Sequence, residues 1–335
     1  MNEVVYITRT GAVLRREGAK LQVWAARTRE AEFAVEGVEQ VVLIGGVTVT
    51  PAAMDLLLER GIDTVLLTQH GRFRGRITAA GTGNVRLRLA QYAMACDPAK
   101  TLDAARRFVA AKVHNQRVML LRHLRRHGDD EVVEASVRAM RAALERLALC
   151  DDLDTLRGCE GSAAAAYFRA FGRLLRAEGL RFDGRNRRPP VDPVNALLSF
   201  GYTLLANVVE AAVARVGLDP YLGALHAPEA GRPSLVCDLM EEFRAAIVDP
   251  LVVSGVNQRA FKPEDFEDAG PGEPVVMKHE TVRWLLTLFE RRMARTTPYG
   301  RDEAQRAWRD VIEQQARAFA RHVAGREAYE GYRMR

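Results

Sequence analysis

The sequence predicts an α+β protein with two domains: a small N-terminal β-domain and a larger all-α-helical domain. The chain has 335 residues, and at roughly 150 residues per domain this length favours two domains over one. Residues 1–88 contain short runs rich in Val, Ile, Leu and Thr, separated by glycines and charged residues, as in strands. Residues 89–335 carry apolar residues at three-to-four spacing, as in helices.

Short strands and one helix are expected in the first domain. Thr50 can cap that helix, Pro51 suits its first turn, and Gly61 follows its end. The strands are predicted at residues 4–8, 21–26, 40–44, 47–49 and 64–67.

Eight helical stretches are expected in the second domain. They are predicted at residues 90–94, 104–127, 131–149, 161–178, 194–216, 234–248, 281–295 and 302–324. Two proline-containing loops, residues 181–193 and 261–274, interrupt them. Loops of this length inside a compact domain are usually functional or mobile.

Several classes of protein lose support from the sequence. Four cysteines without a CxxC pair indicate neither a disulfide scaffold nor a cysteine zinc ribbon. The first residues do not resemble a signal peptide, and no apolar run approaching about 20 residues predicts a membrane span, so we expect a soluble cytoplasmic protein. The motifs of Walker nucleotide hydrolases, zincins and ordinary α/β-hydrolases are absent.

The charge distribution favours a polyanionic partner. The net charge is +6, and the cationic side chains are 44 Arg but only 5 Lys. Residues 101–127 carry seven Lys or Arg against one acid, and residues 169–188 carry seven Arg against two acids. A GC-rich genome also favours Arg, but clustered basic charge is the usual feature of nucleic-acid-binding surfaces.

One segment carries metal-binding side chains. His226 lies in a loop bounded by prolines, and Asp238 and Glu241 follow on a helix, three residues apart. That spacing places both carboxylates on the side opposite the apolar stripe of the helix. Oxygen ligands with one imidazole suit Mg²⁺ or Mn²⁺, although acids on an outer helix face are more often simply solvated.

A second carboxylate, Glu160, lies near the beginning of another predicted helix. It can simply interact with the helix dipole. The four alanines that follow, residues 163–166, permit close helix packing and could bring Glu160 near another helix.

Three motifs together resemble the CRISPR-associated Cas1 family, the metal-dependent DNA endonucleases and integrases of spacer acquisition. They are GCEGSAAAAYF (158–168), RPPVDPVNALLSFGYTLL (188–205) and LGALHAPEAGRPSLVCDLMEEFR (222–244). Lys112 and Asn115 resemble the family more loosely. The similarity covers essentially the whole chain in order.

The resemblance implies a metal site and a set of partners. Glu160, His226 and Glu241 match the family's ligands for Mg²⁺ or Mn²⁺, and Asp238 matches a neighbouring acid that helps hold the metal or its water. The implied reaction joins the 3′-hydroxyl ends of new spacers to the CRISPR repeat array by transesterification. The implied assembly is a homodimer formed through the β-domain, with two such dimers flanking a dimer of the small partner Cas2.

Five further residues are candidate contacts to double-stranded and branched DNA. They are Arg187, Arg188, Asn195, Lys278 and Arg244. For Asn195, a structural hydrogen bond to a backbone carbonyl is the favoured alternative. Two other functions stay open at this point: a stand-alone metal-dependent nuclease on branched DNA, and an Arg-rich helical protein that binds nucleic acid without catalysis.

Overall fold

The computed structural model describes residues 3–79, 84–186, 189–267, 270, 273–300 and 302–335. The chain divides into two compact units, Met1–Gly81 and Thr82–Arg335. The boundary predicted between residues 88 and 89 falls within the first helix of the second unit, α2 (Val85–Ala95). This helix begins with alternating apolar and basic residues, a pattern that resembles the end of a strand.

The described residues of the first unit form two four-stranded sheets and one helix. One sheet has the order β1-β5-β7-β8, with β1, β5 and β7 parallel and β8 antiparallel; the other has the order β4-β3-β2-β6. The elements are β1 (Glu3–Ile7), β2 (Val13–Glu17), β3 (Lys20–Ala25), β4 (Thr28–Ala34), β5 (Val38–Ile44), β6 (Thr48–Val49), α1 (Pro51–Glu59), β7 (Asp63–Leu67) and β8 (Phe73–Ile77).

Burial in the first unit explains why some strands were predicted from the sequence and others were not. Buried Leu14, Leu21 and Leu43 pack with Leu56 and Leu57 of α1 in one apolar cluster. The predicted helix is present, and Thr50 caps it. Strands β2, β4 and β8 were not predicted, because much of each strand is polar or charged and faces solvent.

The second unit is mainly helical. Its helices are α2, α3 (Pro98–His127), α4 (Glu131–Leu147), α5 (Leu153–Phe171), α6 (Pro193–Val216), α7 (Ser234–Phe243), α8 (Asp249–Asn257), α9 (His279–Ala294) and α10 (Trp308–Val323). A π-helical turn (Arg244–Val248) joins α7 to α8. The expected all-α domain needs one correction, since it also contains two short antiparallel hairpins, β9 (Phe266–Glu267) with β10 (Val276–Met277), and β11 (Thr296–Tyr299) with β12 (Ala304–Ala307).

Helices α3, α6 and α7 form the centre of this unit. Helix α3 packs against α4, α5 and α7, and α6 packs against α7 and α10. Contrary to the expectation from the sequence, helix α6 is long and apolar enough to cross a membrane by length and composition. However, 72% of its most apolar window is buried inside the protein, as is usual for a core helix.

The chain beyond α10 also lies against the core. Tyr329, Tyr332 and Met334 are buried. The hydroxyl of Tyr329 donates to Glu242 Oε1 at 2.6 Å, and the backbone N–H of Tyr332 donates to Glu242 Oε2 at 2.7 Å. The last residues therefore pack against the side of α7 that carries Glu242.

Candidate metal and nucleic-acid site

Two of the predicted ligands, Glu160 on α5 and Glu241 on α7, meet at a lysine. Lys112 Nζ on α3 donates to Glu160 Oε1 and lies 2.7 Å from Glu241 Oε2. The side chain of Glu241 is only 5% exposed. Three helices thus bring two carboxylates and one ammonium group together. Glu160 lies next to another helix, α3, as the four alanines that follow it suggested.

The charges at this point stabilise one another. Burial alone would lower the pKa of Lys112. The negative charges of Glu241 and Glu160 have the larger effect, so the pKa of Lys112 is raised above its ordinary value. Burial raises the pKa of Glu241, but Arg244 and Lys112 outweigh it and lower the pKa to about 2. Glu241 is therefore an anion at neutral pH despite its burial, as a metal-binding carboxylate must be.

Arg244 completes the surroundings of Glu241. Its guanidinium lies 3.1 Å from Glu241 Oε1 and 4.5 Å from the ring centroid of Tyr202. The Tyr202 hydroxyl donates to the buried Asp249 at 2.5 Å, and so does the Tyr167 hydroxyl at 2.6 Å. Arg244 lies in the π-helical turn, an irregularity that frequently occurs at functional sites.

His226 is held by Asp238, three residues before Glu241 on the same helix. Asp238 Oδ1 lies 2.6 Å from His226 Nδ1, and the carboxylate accepts the backbone N–H groups of Ala224, Leu225 and His226 at 2.6–3.0 Å. A Cβ at Gly223 would lie 2.6 Å from Asp238 Oδ2, so only glycine allows this approach. With Nδ1 bonded to Asp238, Nε2 of His226 is the nitrogen left for a ligand.

All three predicted ligands line one cavity of about 860 Å³. Six Lys or Arg side chains and three carboxylates line it, so its wall carries a net positive charge. Arg157 on this wall also donates to Leu225 O at 2.9 and 3.1 Å, which ties the His226 loop to α5. Among the residues that line the cavity are Lys112, Glu160, Arg169, Arg185, His226, Glu241 and Arg244.

The donor chemistry of this cavity fits a hard divalent cation. Within the described ranges, no group of three or more His, Cys, Asp or Glu side chains is close enough to hold a metal as placed. However, the carboxylates of Glu160 and Glu241 already share one cation, the ammonium of Lys112. Glu241 Oε2 is buried and makes this ion contact without a well-directed hydrogen bond. Two carboxylates and one imidazole are suitable ligands for Mg²⁺ or Mn²⁺.

The structure corrects the placement of Asp238 and Glu241. The sequence pattern placed both on an outer helix face, but Asp238 is 0% exposed and Glu241 is 4% exposed. Helix α7 packs against both α3 and α6, so its acidic side is buried as well as its apolar side. Both Asp238 oxygens accept backbone N–H groups of the His226 loop, so this carboxylate positions the loop.

Asn195, one of the candidate DNA contacts, makes hydrogen bonds within the protein. It is fully buried, and its amide group donates to Gly184 O at 2.8 Å and accepts from Arg185 at 2.5 Å. Its role is to hold the loop that precedes α6, which is the structural alternative. That loop places Arg185 in the cavity wall, 5.4 Å from the ring centroid of Tyr202.

The other candidate DNA contacts have different outcomes. Arg244 lines the cavity but is paired with Glu241. Lys278 is exposed at the beginning of α9 and does not line the cavity. Arg187 and Arg188 lie outside the described residues.

Sequence reasoning missed the role of Lys112 and the contribution of Arg157. Lys112 lies among Phe108, Val109 and Val113, all buried residues of α3. A lysine within a buried apolar stretch indicates a buried ion pair, and that signal was present in the sequence. The bond of Arg157 to a carbonyl in the loop had no such signal, because it depends on how two distant segments pack.

A protein-family model described as CRISPR associated protein Cas1 matches residues 5–291. The chain belongs to the CRISPR-associated Cas1 family. The CRISPR-associated endonuclease Cas1 2 of Rhodospirillum rubrum is 39% identical over 333 residues, covering 96% of this chain and 95% of that protein. The CRISPR-associated endonuclease Cas1 3 of Thermus thermophilus is 37% identical, covering 99% and 97%.

Solved structures share the fold. A casposase bound to integration product has a TM-score of 0.86 at 22% identity, covering 99% of this chain and 93% of that chain. A CAS1 protein from Thermotoga maritima has a TM-score of 0.84 at 23% identity, covering 98% and 99%. The mixed architecture, strands in the N-terminal part and helices in the C-terminal part, is thus that of the Cas1 family.

Proposed function

We propose that this chain is a metal-dependent DNA endonuclease and integrase of CRISPR adaptation. The observation that carries the proposal is the cationic cavity that Glu160, Glu241 and His226 all line, in a chain of the Cas1 family. The named relatives are endonucleases, and one structural neighbour is bound to an integration product.

The proposed reaction is a transesterification of DNA. A 3′-hydroxyl attacks a phosphodiester, a new P–O bond forms, and the displaced strand leaves with a 3′-oxygen that takes up a proton. In the nuclease reaction, water replaces the attacking hydroxyl. The cationic wall of the cavity binds the phosphates. Asp238 fixes the His226 imidazole through Nδ1, so Nε2 faces away from the Asp238 carboxylate.

Glu160, Glu241 and Nε2 of His226 are the groups that would hold Mg²⁺ or Mn²⁺. A cation bound there would polarise the reacting phosphate and neutralise its developing charge. Arg244 keeps Glu241 ionised, so that this ligand is ready at neutral pH.

The proposed partners are double-stranded or branched DNA, a second copy of this chain bound through the N-terminal unit, and Cas2. Structural neighbours of this chain include a Cas6-RT-Cas1–Cas2 complex, with a TM-score of 0.82 at 24% identity, covering 100% of this chain and 36% of that chain. A heterohexamer of two Cas1 dimers and one Cas2 dimer, acting in the cytoplasm, is the assembly we propose.

The experiment that tests the proposal is a strand-transfer assay with purified Cas2, labelled DNA with free 3′-hydroxyl ends, and Mn²⁺ or Mg²⁺. His226→Ala removes a ligand and leaves the cationic wall intact, so DNA binding should persist while cutting and joining fall to a small residual rate. Full activity of this variant contradicts the metal mechanism.

The same assay separates the two alternatives. Cut products without joined strands would favour a stand-alone nuclease. Binding that a chelator leaves unchanged, with no product under any condition, would favour a protein that binds nucleic acid without catalysis.

A further inference from the structure

We propose that the ammonium group of Lys112 is a built-in counter-cation of the metal site, and that a divalent cation must displace it in order to bind. The inference rests on the proposed function, because it concerns the residues that would hold the metal. In this role, Lys112 determines how tightly the site binds a metal ion.

Every oxygen of Glu241 is already next to a positive charge. Oε2 lies 2.7 Å from Lys112 Nζ, and Oε1 lies 3.1 Å from the Arg244 guanidinium. Lys112 also pairs with Glu160. A metal that binds Glu241 therefore has to compete with Lys112 or with Arg244 for the carboxylate.

Lys112 is the group that can leave. Arg244 is held by a second contact, since its guanidinium stacks on Tyr202, whose hydroxyl is bonded to Asp249. The hydrogen bond and ion pairs found for Lys112 in the described part of the chain all go to the two carboxylates. Its ammonium is a point charge on a flexible four-carbon stem, and the side chain borders open cavity space.

The alternative is that Lys112 permanently holds Glu160 and Glu241 in place for the metal. The two roles predict opposite effects when the charge is removed. If Lys112 competes with the metal, its loss strengthens metal binding, because the buried Glu241 and the half-buried Glu160 then lack a shared cation. If Lys112 only positions the ligands, its loss weakens metal binding.

The test compares Mn²⁺ binding to the wild-type chain and to Lys112→Met, which keeps an unbranched stem of similar length. Titration is followed by the electron paramagnetic resonance signal of free Mn²⁺ in the absence of DNA. Lys100→Met is the matched control, because Lys100 is on the same helix, is exposed and pairs with Asp97 at 3.1 Å. We expect the Kd for Mn²⁺ to fall about tenfold or more in Lys112→Met and to stay unchanged in Lys100→Met. Unchanged or weaker binding in Lys112→Met overturns the inference.

Failure of the proposed function gives a different result. In that case the wild-type chain binds no Mn²⁺, or it binds Mn²⁺ equally well after His226→Ala. Either result also contradicts the inference. If wild type binds Mn²⁺ through His226 but Lys112→Met does not bind it more tightly, only the inference is wrong.

A second measurement needs no variant, and so it decides the question even if Lys112→Met does not fold. The wild-type chain is treated with an amine-acetylating reagent with and without saturating Mn²⁺, and each lysine is followed by mass spectrometry. We expect the acetylation rate of Lys112 to rise several-fold with Mn²⁺, because its ammonium leaves both carboxylates, while Lys100 keeps its rate. A Lys112 that is equally or better protected in Mn²⁺ contradicts displacement.

Discussion

Asp238 and His226 are joined twice, because the ring Nδ1 of His226 lies 2.6 Å from Asp238 Oδ1 and the backbone N–H of His226 donates to the same oxygen at 3.0 Å. One buried carboxylate thus sets both the path of the loop and the orientation of the imidazole. We expect it to act on the proposed reaction through His226.

Asp238→Asn should therefore impair the reaction without preventing DNA binding. An amide NH₂ group cannot accept the backbone N–H groups that now point at the carboxylate, so the His226 loop loses part of its anchor. We expect strand transfer to fall by about 10–100-fold, the usual effect of removing a partner of a metal-binding histidine. The measurement is a gel assay of joined product beside a DNA-binding assay.

The double variant provides the control for this interpretation. If Asp238 acts through His226, adding Asp238→Asn to His226→Ala should cost no further activity. A double variant much less active than His226→Ala would show that Asp238 has a separate role.

The sequence indicated which candidate site residues lie together, but not which groups surround them. The motif resemblance indicated Glu160, His226 and Glu241, and all three line the same cavity. Helical periodicity placed Asp238 and Glu241 at solvent, because periodicity shows only one helix, whereas α7 is enclosed by neighbours on more than one side. Which residue pairs with a buried carboxylate depends on packing between distant segments, and for that reason Lys112 and Arg157 became clear only in the structure.

The pH dependence of stability should reveal the buried Asp249. Burial raises its pKa, and the hydrogen bonds from Tyr167 and Tyr202 oppose this only in part. The folded protein therefore holds this proton more tightly than the unfolded chain, whose carboxyl ionises near its ordinary value. Stability from Asp249 is present below the unfolded pKa and is lost as the pH rises through the folded pKa.

Asn does not titrate. The Asp249→Asn variant should therefore be less stable than wild type by an amount that shrinks as the pH rises above about 4. The change can reach about 1.4 kcal/mol per pH unit within that window. Urea unfolding of both proteins at pH 4, 5, 6 and 7 measures it. A deficit that stays constant or widens with pH contradicts a raised pKa.

The C-terminal segment should contribute measurably to stability through Tyr329. Its hydroxyl donates to the buried Glu242, whose pKa burial raises to about 8 against the hydrogen bonds of Tyr329 and Tyr332. Tyr329→Phe leaves a buried carboxyl oxygen without this donor, which should cost about 1–3 kcal/mol of unfolding free energy. Thermal melting at pH 7 measures the loss. Tyr221→Phe is the control, since Tyr221 is 51% exposed, and equal melting temperatures for the two variants would refute the prediction.

The salt dependence of DNA binding should identify Arg169 as a phosphate contact. Arg169 lines the cavity on α5, on the same helix as Glu160. Each phosphate contact with duplex DNA makes the slope of log affinity against log salt steeper by about 0.9, because counterions are released. Arg169→Ala should weaken binding and make that slope shallower by about 1.

Arg138→Ala is the control, because it removes the same charge from α4. Arg138 is exposed, pairs with Glu134 at 3.4 Å and does not line the cavity. Its slope should match wild type, because a charge that makes no phosphate contact releases no bound counterion. Equal slopes for the two variants would mean that DNA does not reach the part of the cavity that Arg169 lines.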